Sequence, residues 1–215
     1  MVSAVAVSTG RPVLSLEELR ARTAPVSLSG ERTLPVRSDL AALLPGEGWR
    51  RGSVVEITSP SLLFVSLADA LAQGSWAALV GTPSLGLAAA SDHGVTFDRL
   101  AVVVAPPPEL AATVVAALVD ALDLVVVGAG VISRTVDARR LAARARERGA
   151  VLIVHGRWPE AVDVRLSVTG HHTDGLGVGH GHLSSWSVEV EADGRGAAAR
   201  RRRGMVTLAC VAGAG

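Results

Sequence analysis

The sequence predicts an α/β fold: a mainly parallel central sheet flanked by helices, with an antiparallel C-terminal extension. Three observations predict it. From residue 54 to residue 154, short apolar runs alternate with helix-period segments of about 12 residues, the pattern of crossover helices in a parallel sheet. Leu124–Val127 is an unbroken apolar run, as in a strand buried on both faces. After His155 helical periodicity ends, and two-residue alternation appears in Asp163–Val168, Trp186–Glu191 and Met205–Cys210.

The elements follow in order. Residues 1–33 read as an arm and residues 34–215 as the core with its antiparallel tail. The arm holds one helix signal: Ser15 can cap, Glu18 stands three residues on, and Leu14, Leu16 and Leu19 supply apolar anchors before Pro25. In the core a short helix over Asp39–Leu44 stops at Pro45-Gly46. Strand Val54–Ile57, a turn at Thr58–Ser61 and helix Leu62–Gln73 come next. Strand Trp76–Val80 leads to a loop and a helix over Gly86–Asp92. Strand Leu100–Val104 runs into Pro106-Pro107-Pro108, which opens helix Glu109–Leu122. Helix Thr135–Glu147 closes on Gly149, before strand Val151–Val154. Thr169–Leu183, rich in glycine and histidine, and Asp193–Gly204, rich in arginine, read as loops.

Composition excludes several chemistries. The chain has no lysine and no tyrosine, so Schiff-base or ammonium-dependent catalysis has no residue to use. The formal net charge is +1, and no global field calls for nucleic acid. One cysteine, Cys210, allows no internal disulfide, in keeping with a reducing cytosol. The start carries no basic segment before a long apolar run, so no signal peptide is read. The longest apolar stretch, Leu110–Ile132, contains Asp120 and Asp123 and reads as core rather than a membrane span.

The stretch Gly52–Asp69 has the outline of a phosphate-binding loop without its chemistry. The frame G-x-x-x-x-G-K-[ST] falls on Ser59 to Ser66. Ser59 and Phe64 stand where the glycines would be, Val65 stands for the lysine, and only the hydroxyl of Ser66 is kept. On this reading Phe64 places a ring in the space the phosphates need, and Val65 removes their counter-charge.

Longer strings carry a resemblance. LPVRSDLAALLPGEGWRRGSVVEI from Leu34, Gly94-Val95-x-x-Asp98-x-Leu100, Leu122–Val127 and Asp163–Leu166 together resemble the RecA ATPase core from about Leu34 to Val168. That resemblance implies a Walker B acid at the position of Gly128, a catalytic acid near Pro83, and a polar pair at His155 and Gly156. None of those acids is present. Residues 129–134 and 156–162 are also short for loops that enter a DNA groove.

The combination is similar to the ImuA group, including its shortened ImuA-prime form. These are RecA-like accessory proteins of a damage-induced mutasome. The resemblance implies a non-catalytic adaptor without cofactor. Such an adaptor would recruit or position translesion polymerase components, with a Y-family-like polymerase subunit as partner. It would act in the cytoplasm and at the nucleoid. A second resemblance, to the division inhibitor SulA, implies instead a partner in the tubulin-like division protein.

Other candidates have two readings each. Leu14, Leu16 and Leu19 form a stripe for self-association or partner binding, or pack on their own domain. Arg200, Arg201, Arg202 and Arg203 contact DNA or an acidic partner, or line a solvated loop. His171, His172, His180 and His182, with Asp174, suggest a metal but lack the spacing of a structural site, and a solvated loop is the expectation. Arg139, Arg140, Arg144, Arg146 and Arg148 read as a solvated helix face. Trp49 and Trp158 read as packing lids or as interface anchors.

Overall fold

A computed structural model describes residues 32–177 and 180–208. The stripe Leu14, Leu16, Leu19 and the residue Cys210 therefore lie outside the described residues. Two short strands, β1 (Thr33–Leu34) and β2 (Trp49–Arg50), pair antiparallel around helix α1 (Ser38–Ala41). The main sheet takes β3 (Val54–Ile57), β4 (Ala77–Val80), β5 (Leu100–Val103), β6 (Leu124–Gly128), β7 (Val151–His155), β8 (Val164–Gly177), β9 (His180–Gly194) and β10 (Arg202–Leu208). Its helices are α2 (Pro60–Ala72), α3 (Leu87–Asp92), α4 (Pro108–Ala121) and α5 (Thr135–Arg148).

The strand order is β10-β9-β8-β3-β7-β6-β4-β5. The six strands from β8 to β5 are parallel to their neighbours, and β9 and β10 are added antiparallel. The fold is thus mixed α/β with a large, mostly parallel sheet and an antiparallel C-terminal extension.

Period-2 alternation divides the core between the two faces. Val55, Ile57, Leu79, Val126 and Ile153 pack with α1, α2 and α3. Val54, Val80, Val125, Val127, Leu152 and Val154 pack with α4 and α5. At about 25 cal/mol per Å² of apolar surface removed from water, these two layers dominate the stabilisation of the fold.

The structure redraws three sequence expectations. Helix α2 starts at Pro60 rather than Leu62, because Ser59 caps it and proline is preorganised for the first turn. The Gly/His segment is no loop, since its described residues continue β8 and β9 as a long hairpin. Register shifts at Val168/Gly170 and Asp174/Leu176 absorb residues that fit a regular strand poorly. The Arg-rich segment is mostly ordered too: β9 runs to Gly194, a 3₁₀ turn spans Gly196–Ala198, and β10 begins at Arg202.

Candidate functional site: a closed crevice at the strand ends

Ligands of parallel α/β sheets bind beyond the carboxyl ends of the strands. At that end β3 passes into α2 through Thr58 and Ser59 alone. The Ser59 side chain accepts from Leu62 N–H at 3.4 Å, and Leu63 N–H donates to the Ser59 carbonyl at 2.9 Å. The frame positions 60–66 are therefore helix. Amides that a phosphate loop would aim at its ligand are committed to the helix from Leu62 onward.

From Leu62 to Ser66 the side chains of the frame are buried in the core. Phe64 is buried and stacks on His93 with ring centroids 6.1 Å apart. Its ring thus lies in the α2-side core rather than in a space left for phosphate. Val65 has no exposed surface. Ser66 is buried, its hydroxyl donates to the Leu63 carbonyl at 2.7 Å, and its own carbonyl accepts from Trp49 Nε1 at 2.9 Å. The hydroxyl that survived in the frame is thus turned back onto its own helix. Trp49 and Trp158 are both buried packing residues.

Gly128, at the Walker B position, ends β6 against the backbone of the loop after β4. A Cβ there would collide with the Gly81 carbonyl oxygen and lie 2.8 Å from its carbon and 3.2 Å from Thr82 Cγ2. A Cβ on Gly156 would lie 2.6 Å from Ala129 Cβ, and one on Gly81 would strike Val131. Gly81 and Gly156 also have positive φ, at 61° and 129°. The loops after β4, β6 and β7 thus touch at backbone distance. His155 Nδ1–H donates to the Ile57 carbonyl at 3.0 Å and ties the end of β7 to that of β3.

Beside this closed centre lies a cleft of 490 Å³ lined by Glu56, Thr58, Arg157, Trp158, Pro159, Glu160 and Arg165. Glu56 sits in the middle of the sheet and is buried. It accepts from Arg165 Nε at 2.7 Å and from Trp158 N–H at 3.4 Å. The hydrogen bond that Arg165 donates to Glu56, against some desolvation, raises the Arg165 guanidinium above its ordinary pKa. Glu160 is held by Arg139 at 2.7 Å. Sequence reasoning did not single out Glu56, although an acid inside an otherwise apolar strand, VVEI, was the available signal.

The four clustered arginines separate. Arg201 and Arg203 reach Glu191 at 3.1 and 2.6 Å. Arg202 points the other way and donates to the Leu44 carbonyl at 2.9 Å. Arg200 is exposed and has no ion pair among the described residues. On α5, Arg144 and Arg148 share Asp120, at 2.5 and 3.1 Å. The Arg144 hydrogen bond holds the Asp120 carboxyl below its ordinary pKa. Among the described residues no group of three His, Cys, Asp or Glu could hold a metal ion. His171 instead stacks on Trp186 at 6.3 Å. No helix of the described residues is long and apolar enough to cross a membrane.

Comparison with known proteins places this region in a family. The family model for the MT3502 N-terminal domain matches residues 42–160, from the end of α1 through β7 to the cleft. An uncharacterized protein of Mycobacterium tuberculosis, Rv3395c, is 43% identical over 114 residues, 50% of this chain and 52% of that protein. The chain thus spans about half the length of the curated relative it matches.

Proposed function

The chain belongs to the MT3502 N-terminal domain family, and from that premise we propose that it is a non-catalytic, RecA-like adaptor of damage-induced translesion synthesis. Its role is to recruit or position polymerase components, with a Y-family-like mutasome subunit as the partner. The observation that carries the non-catalytic part is the closed crevice. Helix α2 begins two residues after β3, Val65 is buried where a lysine would stand, and Gly128 has no room for a side chain.

The RecA-like part is supported by the ordered strings of the core and by a parallel sheet with the P-loop-frame strand, β3, at its centre. The mutasome part rests on the resemblance of those strings to the ImuA group.

Co-purification tests the reading. The full chain is expected to retain a Y-family-like polymerase subunit, and to do so equally with and without ATP and Mg²⁺. Absence of that complex, together with inhibition of division-protein polymerisation by the purified chain, would move the assignment to the SulA-like alternative.

A further inference from the structure

Donors outnumber acceptors in the cleft beside β3. Its two carboxylates are already engaged. Glu56 Oε1 accepts from Arg165 Nε at 2.7 Å, and Glu56 Oε2 accepts from Trp158 N–H at 3.4 Å. Glu160 Oε1 accepts at 2.7 Å from Arg139 Nε, which belongs to α5 and not to the cleft lining. The donors are open by comparison. Arg157 is exposed and makes no hydrogen bond or ion pair among the described residues, and the same holds for the Thr58 hydroxyl. Arg165 uses Nε on Glu56, but its other ion pair, from Nη1 to Asp193, is 3.8 Å long and beyond hydrogen-bond reach. Trp158 is buried in the cleft wall, and its indole N–H has no partner among the described residues. Folded proteins leave few buried donors unpaired.

The charges point the same way. Glu56 and Glu160 are each matched by an arginine, which leaves Arg157 as the lining charge without a counter-ion among the described residues. The cleft is also built into the fold. Glu56 is 7% exposed, and it fixes Arg165 from the Nε side so that the Nη groups stay free for another acceptor. The position is the carboxyl end of β3 and the loop after β7, where parallel sheets take their ligands. Its 490 Å³ falls within the range of about 300–1,000 Å³ usual for small-molecule sites.

We propose that this cleft binds a carboxylate, held by the Arg157 guanidinium, the free Nη groups of Arg165 and the Thr58 hydroxyl. A surplus of donors calls for a ligand rich in acceptors, and a single unmatched guanidinium calls for a single negative charge. A planar carboxylate meets both demands and suits the arginine fork. A phosphate monoester brings more charge than Arg157 alone can match. The carboxylate can come from a small organic acid or from an acidic side chain of another polypeptide, and the test has an arm for each. This site does not depend on the adaptor reading.

The test is titration of the nitrogen-15-labelled full chain, followed at the Trp158 indole N–H, whose resonance is assigned by its loss in Trp158→Phe. Glutaramate carries a single carboxylate, and a capped peptide with a single glutamate presents the same group on a polypeptide. A saturable shift is expected with at least one of them, and none with glutaramide, the uncharged counterpart. Tighter binding of glutaramate assigns a small acid as the source, and tighter binding of the peptide assigns a polypeptide. Arg157→Gln should weaken the binding about tenfold or more, because a hydrogen bond between charged groups is lost. Thr58→Val should weaken it less. Arg140→Gln removes an exposed arginine of α5 outside the cleft and should change nothing. All three variants should keep the parent's circular dichroism and urea midpoint, since none of these side chains has a partner among the described residues. Arg165 is left in place because its loss would strand Glu56. The absence of a saturable shift with either carboxylate up to about 10 mM overturns the proposal. So does binding that glutaramide matches, that Arg157→Gln leaves intact, or that Arg140→Gln weakens equally. Tighter binding of glycerol phosphate than of either carboxylate assigns the cleft to phosphate and overturns it as well.

Discussion

Restoring the lysine of the phosphate-loop frame should unfold the protein rather than reactivate it. Val65 lies on the inner side of α2 with no exposed surface, among Leu62, Phe64 and the strands beneath. In Val65→Lys the ammonium has no partner there, so the side chain must be neutral in the folded state. Holding a group of ordinary pKa 10.4 neutral at pH 7 costs about 4–5 kcal/mol, at about 1.4 kcal/mol per unit. That is a large share of the roughly 5–15 kcal/mol that stabilises a typical domain. The sign with pH follows from linkage. The folded-state pKa is depressed, so the unfolded state binds the extra proton at pH 7, and stability rises with pH. By pH 9 the cost should shrink to about 2 kcal/mol. Urea denaturation of Val65→Lys and of Val65→Met at both pH values measures this, the methionine variant showing overpacking without the pH slope. A lysine variant as stable as the parent at pH 7, and binding ATP, would refute the reasoning.

Other outcomes follow from the same geometry. Gly128→Asp, which supplies the Walker B acid, should lower stability by at least about 1–3 kcal/mol from steric overlap with Gly81, and should not create Mg²⁺-dependent ATP binding by calorimetry. Asp39→Asn should loosen the β10 edge and raise amide exchange at Thr207. Burial pushes the Asp39 carboxyl up, but Arg37 and the amides of Thr207 and Leu40 outweigh it and leave its pKa lowered. The parent should therefore lose the Asp39 contribution only as pH falls from the ordinary aspartate range through that lower value, and the variant should lack this part of the acid transition. Arg165→Ala should cost about 1–3 kcal/mol in denaturant unfolding, because Glu56 stays buried with only the Trp158 amide. Arg201 and Arg203 are already paired with Glu191. Replacing both with Ser should therefore change low-salt DNA retention by less than about twofold, and a larger loss would restore the phosphate-contact reading.

What was legible in the sequence was local. Alternation of β-branched runs with helix-period segments located β3 to β7 and α2 to α5, because these elements depend on periodicity within a short window. The true start of α2 was also written locally, in a serine cap followed by proline, but the phosphate-loop frame drew the boundary two residues late. The hairpin of β8 and β9 was hidden for a different reason. Glycine and histidine are weak strand formers, and only pairing with β3 and β9, with two register shifts against β9, makes Val164–Gly177 a strand. The crevice could not be read at all. Contacts between Gly81 and Gly128 join residues 47 apart, and nothing near either glycine in the sequence signals them.

Those contacts also explain why the frame cannot be repaired one residue at a time. A phosphate loop needs length between strand and helix, and here that connection is two residues, Thr58 and Ser59. No side-chain replacement at Phe64 or Val65 lengthens it, since both already lie inside α2. A Walker B side chain at Gly128 would push the loop after β4 outward, but that loop is held by Val131 against Gly81. The loop after β6 is in turn held by Ala129 against Gly156. Three glycines thus lock three loops in series, and relief at one point is opposed at the next. The charged cleft is tied to the same core, because Glu56 is buried in β3, and a ligand that drew Arg165 away would leave its carboxylate with the Trp158 amide alone.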